Sequence, residues 1–315
     1  MLNSTQIDRF RRDGYLIVRD VVDEATLVRV RAEYAELMDG LYDDWCTAGQ
    51  VSDSPEGLDF WSKLDRARDA GVEWFQPLDI SLPHEDISEE TPFHFGPAVF
   101  EMLTHARVLD VAESVLGGEL TSNPIQHVRI KPPQREVPEG EVRAHIGTTD
   151  WHQDRGVGHV EADNTDILTV WIAITDATVE NGCLQVIPNP PDAMYPHCPK
   201  TQTAIADSFV QADRAVHAEV PAGGVVLIHP LTPHCAGPNE SSGYRWSFDV
   251  CYNITGQPTG RAHFPDFVAR SRAHPESELR DWRLWRKKWE TARAIAANSP
   301  HIPQHRWQSD SPHCA

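Results

Sequence analysis

Five histidines in the sequence are each followed, two positions later, by an acidic residue. On a β-strand, side chains at positions i and i+2 leave the same face, so such a pair can direct an imidazole and a carboxylate at one ion. Two histidines and one carboxylate bind iron in non-haem oxygenases and leave coordination positions open for chemistry. The five pairs are His84-x-Asp86, His152-x-Asp154, His159-x-Glu161, His217-x-Glu219 and His274-x-Glu276. With 16 histidines and 47 acidic residues, several pairs are expected by chance, so the spacing alone selects none.

The surroundings of the pairs favour His152 and Asp154 as ligands. These residues enter the β-rich half of the sequence beside Trp151, just before the apolar run DILTVWIAI, which predicts a buried strand. The other four pairs adjoin prolines or lie in polar runs typical of loops and solvent-facing strands, so we expect none of them to bind metal. The competing interpretation, that His152 and Asp154 are solvated loop residues, stays open at this point.

A third ligand is expected from a later strand, and the segment GVVLIHPLTPHCAGPN offers His229 and His234. His234 opens a turn after the apolar strand, and Arg245 follows eleven positions later inside YRWSFDVCY. A buried arginine is costly unless an anion satisfies it, and its planar guanidinium matches a carboxylate at two points. Arg245 is therefore a candidate for binding an acidic ligand. The alternative is a strand arginine that faces water or pairs with an internal acid.

Composition restricts the classes of partner. The chain has 315 residues, 40% of them apolar, which is enough to bury a large core. A formal net charge of −19 and a pI near 5.2 argue against nucleic acid or anionic membranes as partners. The first residues lack the apolar core of a signal peptide and no apolar run has membrane-spanning length, so we expect a cytoplasmic protein.

The six cysteines show no CxxC pair and no zinc-ribbon spacing. In a chain of this size we interpret them as reduced, mostly structural thiols. Cys235 is singled out because it adjoins the candidate ligand His234. The cysteines are Cys46, Cys183, Cys198, Cys235, Cys251 and Cys314.

The elements that would position these residues follow from hydrophobic periodicity. Ser4 and Asp23 can cap two N-terminal helices, with a strand from Tyr15 to Val18 between them. From about residue 121, short runs rich in Val, Ile, Thr and aromatics alternate with Pro, Gly and Asn clusters, as in a β-sandwich or barrel. Helical periodicity returns near residue 276, with a stripe of tryptophans that we interpret as packing.

These patterns predict a single domain over residues 1–315, of α+β class with a mainly β core. Its three parts are a helical and irregular N-terminal part (1–120), a β core (121–256) and a helical C-terminal extension (257–315). Within the first part, residues 43–96 are rich in Asp, Glu, Pro and Gly and predict irregular surface or a lid. Five of its aromatic residues would contact a substrate or anchor the segment to the core; they are Trp45, Phe60, Trp61, Trp74 and Phe75.

Several segments resemble the phytanoyl-CoA dioxygenase family of Fe(II)/2-oxoglutarate oxygenases. The opening FRRDGYLIVRDVVDEATL, the block IKPP and the motif WHQD are similar to family segments. So are VWIAITDATVENGCLQVIP and VVLIHPLTPHCAGPNESSGYRWSF. The resemblance covers roughly residues 1–40 and 120–255, and the joint pattern is far more specific than any one motif. It implies a double-stranded β-helix (jelly roll, cupin-like) flanked by N- and C-terminal helices.

Carried over position by position, the resemblance implies a role for each matching residue. The implied Fe(II) ligands are His152, Asp154 and His234. Arg245 would bind the distal carboxylate of 2-oxoglutarate, and Trp171 and His127 fall where family members line the co-substrate pocket. Ala236 stands where a serine is usual, and residues 187–191 replace the family's PGSH, which weakens any inference about the substrate.

The resemblance implies hydroxylation of an unactivated C–H bond in a small organic substrate, such as a natural product, an amino acid or a free acid. The co-substrates would be 2-oxoglutarate and O2, the products would include succinate and CO2, and ascorbate would help in vitro. Desaturation, epoxidation or ring closure, and hydroxylation of an acyl-CoA, stay open. Halogenation is disfavoured because related halogenases replace the carboxylate of Asp154 with a small residue. The remaining alternatives are a dioxygenase that needs no 2-oxoglutarate and a catalytically silent binding scaffold.

Overall fold

The structure is a computed structural model that describes residues 1–52, 54–83, 86–137, 139–140, 143, 145–200, 203–299 and 306–314. The candidate His84 lies outside these residues. The helices are α1 (Ser4–Asp13), α2 (Glu24–Thr47), α3 (Phe60–Asp69), α4 (Pro97–Leu103), α5 (Ala106–Leu116) and α6 (Trp282–Ala297). The strands are β1 (Tyr15–Val18), β2 (Glu119–Lys131), β3 (Thr149–His152), β4 (Ile167–Ala173), β5 (Leu184–Val186), β6 (His197–Pro199), β7 (Thr203–Ile205), β8 (Val216–Ala218), β9 (Val225–Ile228), β10 (His234–Ala236), β11 (Arg245–Ile254) and β12 (Phe267–Ser271).

Two antiparallel sheets form the core of the fold. The major sheet has six strands in the order β1-β9-β4-β11-β2-β12, and the minor sheet has four in the order β3-β10-β5-β8. A separate hairpin pairs β6 with β7. This arrangement, with helices on the outer face of the major sheet, confirms the predicted jelly roll flanked by helices.

The alternation of side chains along β11 separates two environments. Trp246 and Phe248 face the helices, where the ring of Tyr34 from α2 lies 5.0 Å and 6.0 Å from their ring centroids. Arg245 and Asp249 leave the opposite face and line a cavity between the two sheets. Full burial of each large apolar side chain contributes about 1.5–3 kcal/mol, so the helical face fixes the orientation of the strand that presents Arg245.

The N-terminal elements agree with the sequence prediction except at one cap. Asp23 caps α2 by accepting a hydrogen bond from the backbone N–H of Thr26. The cap of α1 is Asn3 rather than Ser4, because the side chains of Asn3 and Gln6 each bind the other's backbone N–H in a capping box. β1 pairs with β9, which attaches the start of the chain to the major sheet.

The part after residue 256 is not purely helical, contrary to the prediction. β12 adds an edge strand to the major sheet by pairing with β2. The tryptophan stripe of α6 packs as predicted: Phe95 lies 4.5 Å from Trp285 and 5.1 Å from Trp289, measured between ring centroids. The sequence did not predict β12 because the strand has only five residues, few of them apolar, and no other strand-like run adjoins it in the chain.

Segment 43–96 was predicted to be irregular, but it contains the end of α2 and the whole of α3. Its aromatic side chains anchor it to the core. Phe60 stacks on Trp246 with ring centroids 5.7 Å apart, and Trp61 stacks on Tyr244 at 4.8 Å. Trp74 and Phe75 belong to the buried core, and none of the five aromatic residues considered as substrate contacts lines the cavity between the sheets. Their positions favour anchoring over substrate contact. No helix in the described part of the chain is long and apolar enough to cross a membrane.

The interpretation of all six cysteines as reduced thiols is wrong for two of them. Cys198 and Cys314 form a disulfide, with their Cα atoms 5.5 Å apart although 116 positions separate them in the sequence. Spacing could not reveal this pair because only the fold brings residues 306–314 to β6. The remaining cysteines are not disulfide-bonded; they are Cys46, Cys183, Cys235 and Cys251.

Candidate metal centre and co-substrate pocket

Pairing of two minor-sheet strands brings two histidines together. His152 is the last residue of β3 and His234 the first of β10, and they stand opposite each other in the antiparallel register. Their ring centroids are 4.1 Å apart. Asp154 lies in a short 3-10 turn (Asp154–Gly156) that follows β3. We expected both His152 and Asp154 to lie on one strand, but only His152 does.

One potential ligand atom from each of these three residues converges on a common point. Asp154 Oδ1 lies 3.6 Å from His152 Nε2 and 3.5 Å from His234 Nε2, and the three ligand atoms all lie within 4.8 Å of one another. The Nδ1 atom of His152 donates to the carbonyl of Asp150 at 2.8 Å, and that of His234 to the carbonyl of Thr232 at 3.0 Å. The Nε2 lone pairs are therefore directed at the common point, as metal ligation requires.

Electrostatics keep His152 and Asp154 in the forms that bind a metal. Burial, followed by the neighbouring His234, lowers the pKa of His152, so its imidazole is neutral. Burial alone would raise the pKa of Asp154, but the two histidines and a hydrogen bond from Thr169 Oγ1 to Oδ2 at 2.6 Å hold it below its usual value. The Thr169 hydroxyl also fixes the carboxylate with Oδ1 turned toward the histidines.

Arg245 is fully buried and only partly satisfied. Its Nη1 atom donates to the carbonyl of Gly182 at 2.7 Å, and its guanidinium carbon lies 5.2 Å from the ring centroid of Trp171. Nε and Nη2 are buried without a hydrogen-bond partner. Burial, and then the charge of Arg129, lowers the pKa of Arg245 to about 10, so the group stays cationic at neutral pH. Unsatisfied buried donors cost about 1–3 kcal/mol each, which a bound carboxylate would offset.

A cavity joins the ligand cluster to this arginine. An ion pair between Arg129 and Asp249 stands in its wall. The cavity is lined by Arg129, Thr149, His152, Asp154, Thr169, Trp171, Leu184, Ile228, His234, Cys235, Ala236, Arg245 and Asp249. Thr169, Arg129 and Asp249 were missed in the sequence, although each lies two or four positions from a residue that was singled out and so shares its strand face.

His127 is not among the residues that line this cavity. Its Nδ1 atom donates to Asp79 Oδ2 at 2.9 Å, and its ring centroid lies 4.3 Å from that of His145. The three form a second group of potential metal ligands, but Asp79 Oδ1 already accepts from the backbone N–H groups of Val128 and Ile80. The carboxylate thus orients His127. Asp79 and His145 come from irregular segments, and no sequence signal connected them to β2.

The remaining histidine candidates stay apart from the cluster. His217 lies on the exposed strand β8, and His274 forms an exposed pair with Glu276 at 3.3 Å. His159 precedes a short 3-10 turn, as expected of a loop residue. His229 accepts from the backbone N–H of Leu231 and belongs to neither group of potential ligands in the described residues. Of the two candidates for the third ligand, the fold brings His234, and not His229, to the cluster with His152 and Asp154.

A 2-His-1-carboxylate cluster inside a jelly roll, with a buried arginine beside it, defines the class of non-haem iron oxygenases. The family model for phytanoyl-CoA dioxygenase (PhyH) matches residues 10–247, and the chain belongs to this family. It is therefore an oxidoreductase of a family that uses iron and 2-oxoglutarate.

Curated relatives and solved structures agree with this assignment. A probable phytanoyl-CoA dioxygenase of Caenorhabditis elegans is 22% identical over 263 residues, covering 80% of this chain and 75% of that protein. The peroxisomal phytanoyl-CoA dioxygenase of Bos taurus is 22% identical, covering 92% and 77%. The non-heme monooxygenase ThoJ superimposes with a TM-score of 0.58 at 17% identity, covering 93% and 98%. EvdO2 of Micromonospora carbonacea var. aurantiaca, complexed with 2-oxoglutarate, gives 0.53 at 22%, covering 81% and 92%.

Proposed function

We propose that this protein is an Fe(II)- and 2-oxoglutarate-dependent dioxygenase whose metal is held by His152, Asp154 and His234. The observation that carries the proposal is the position of Arg245, buried with unsatisfied guanidinium N–H groups in the same cavity as the three ligands. A silent scaffold would have no need of both features, and a dioxygenase without 2-oxoglutarate would have no need of the arginine.

The residues of the cavity would have different roles. His152, Asp154 and His234 would hold the metal on one side only, leaving its remaining positions open. Arg245 would bind the distal carboxylate of 2-oxoglutarate, with Trp171 beneath the guanidinium fixing its plane. Bound Fe(II), together with 2-oxoglutarate and O2, would supply the oxidising chemistry for removal of a hydrogen atom from the substrate. The buried walls exclude water from that chemistry. His127 stays a predicted contact of the co-substrate.

We propose a small organic molecule as the substrate and hydroxylation of an unactivated C–H bond as the reaction. Ligands named for structural neighbours support this size class, because SnoN was solved with Fe3+, alpha ketoglutarate and nogalamycin RO, at 21% identity and a TM-score of 0.52. The structural neighbours ThoJ and SnoN are called a monooxygenase and an epimerase, respectively, so the same fold supports more than one type of reaction. The carboxylate of Asp154 supports oxygenation rather than halogenation.

The proposal is tested by succinate release from the purified protein with Fe(II), ascorbate and 2-oxoglutarate, in the presence of candidate substrates. We expect succinate to form with Fe(II) and 2-oxoglutarate together and not when either is omitted. The Asp154→Ala variant removes one ligand and should release none. Succinate release by Asp154→Ala at the wild-type rate would show that the iron is bound elsewhere.

A further inference from the structure

Gln153 lies between the proposed ligands His152 and Asp154, and contacts from another part of the chain hold it in place. Gln153 is fully buried, and its backbone N–H donates to Nε2 of His197 on β6 at 3.1 Å. Its side chain donates to the carbonyl of Leu231 at 2.7 Å and accepts from the backbone N–H of Tyr195 at 2.7 Å. The direction of the backbone from His152 to Asp154 therefore depends on these contacts.

His197 is itself oriented for this role. Its Nδ1 atom donates to the carbonyl of Tyr195 at 2.8 Å, which leaves Nε2 as the acceptor for Gln153. Burial lowers the pKa of His197 to about 4, so the ring is neutral and can accept. The ring stacks on Trp307, with centroids 5.1 Å apart and planes inclined by 26°.

Residues 306–314 hold the same turn from its other side. The indole Nε1 of Trp307 donates to the carbonyl of Gly156 at 2.7 Å. Nη2 of Arg306 donates to the carbonyl of Arg155 at 3.0 Å, and Arg306 also forms an ion pair with Asp163. The two residues that directly follow Asp154 thus have their carbonyl groups bound by the 306–314 segment.

A covalent bond keeps the 306–314 segment in place. Cys314 is joined to Cys198, the neighbour of His197 on β6, by the disulfide. The disulfide keeps the 306–314 segment close to the turn, which raises the effective concentration of the segment there. The contacts of Arg306 and Trp307 therefore form more readily. Without the bond, this segment can separate from the turn.

We propose that the 306–314 segment is a positioning element for the metal ligands and that the Cys198–Cys314 disulfide controls it, so that reduction weakens metal binding. The inference rests on the proposed metal site. A phosphine reductant delivers two electrons to the sulfur–sulfur bond; water supplies two protons to the thiols and its oxygen to the phosphine oxide. Cys314 is partly exposed, which gives the reductant access. Outer contacts of metal ligands typically change metal affinity 10–100-fold, and we expect a loss in this range on reduction.

The test uses Co(II) as the probe, titrated anaerobically and followed by its visible d–d absorption. Wild-type protein is compared as isolated and after treatment with the phosphine, which is removed before titration. We expect the reduced protein to bind Co(II) about 10–100-fold more weakly, with unchanged far-ultraviolet circular dichroism. Equal affinity of the two forms would overturn the proposal, as would six titratable thiols in the protein as isolated.

Three variants separate the causes. Cys198→Ser/Cys314→Ser should bind Co(II) like the reduced wild type and should not respond to the phosphine. Cys46→Ser, a matched change at a cysteine outside the disulfide, should behave like wild type in both states. Trp307→Phe keeps the aromatic stack but loses the donor to Gly156, so its affinity should be intermediate. A Trp307→Phe variant with wild-type affinity in the oxidised state would remove Trp307 from the positioning role.

Failure of the metal site and failure of this inference give different results. If His152→Ala binds Co(II) as tightly as wild type in the oxidised state, the proposed metal centre itself is wrong. If His152→Ala loses Co(II) but oxidised and reduced wild type bind alike, the metal centre stands and the role of the disulfide is refuted.

Discussion

For single residues, the proposed metal site depends on a few side chains whose hydrogen-bond partners are defined. Replacing His152 with alanine removes one of the two imidazoles directed at the common point, while the helical face of the major sheet is untouched. We expect iron retention and turnover to be lost and circular dichroism to be preserved. Iron content by metal analysis measures this, with His274→Ala as the matched control at an exposed histidine. Loss of iron in His274→Ala would show that the wrong pair was chosen.

Arg245 gives a second prediction. Lysine keeps the charge but loses the planar fork and its contact with Trp171, so the KM for 2-oxoglutarate should rise by about 10-fold or more. Steady-state succinate formation at varied 2-oxoglutarate measures it. Arg272→Lys, at an arginine with an exposed side chain, is the control. An unchanged KM would mean that another group binds the distal carboxylate.

Thr169 tests the carboxylate ligand without removing it. Valine has the same shape but cannot donate to Asp154 Oδ2, so the carboxylate should lose its fixed orientation. We expect metal affinity to fall about 10–100-fold. Thr121→Val, where the hydroxyl bonds Thr255 instead, controls for the loss of a buried hydroxyl. Equal metal affinity in both variants would refute this role of Thr169.

At the scale of elements, the turn after β3 tolerates no side chain at Gly156. A Cβ there would lie 2.6 Å from Nε2 of His197, closer than packed atoms approach. We expect Gly156→Ala to destabilise the protein by about 1–3 kcal/mol in urea unfolding, because the hairpin must move to make room. Gly158→Ala is the control, since its Cβ would meet nothing nearer than 3.7 Å. Equal stability of the two variants would contradict this packing.

The candidate ligands could be named from sequence because the resemblance to the family selected them; short-range patterns alone left several His-x-acid pairs and two candidates for the third ligand open. His152 ends a strand, His234 begins one, and Arg245 lies on the apolar strand β11, where alternation decides which side chains face inward. The pairing of Asp79 with His127 and the disulfide between Cys198 and Cys314 could not be predicted. They join segments far apart in the chain whose meeting depends on the whole fold.

At the scale of the whole molecule, buried neutral histidines make stability depend on pH. Burial lowers the pKa of His197 from 6.5 to about 4, so the unfolded chain binds its proton first as the pH falls. Below pH 6.5 the metal-free protein should therefore lose stability progressively until about pH 4, by up to roughly 3 kcal/mol from this residue. Urea unfolding across this range measures the slope. His197→Gln should show a shallower slope, and an identical slope would contradict the assignment.

In the proposed site, three ligands bind one iron and one arginine binds one 2-oxoglutarate. Anaerobic titration of the Fe(II)-loaded protein with 2-oxoglutarate, followed by visible charge-transfer absorption, tests it most directly. Wild type should develop a saturable band, His234→Ala should show none, and Arg245→Lys should need a higher concentration for half-saturation. A band of wild-type intensity and midpoint in His234→Ala, or no band in the wild type, would contradict the account.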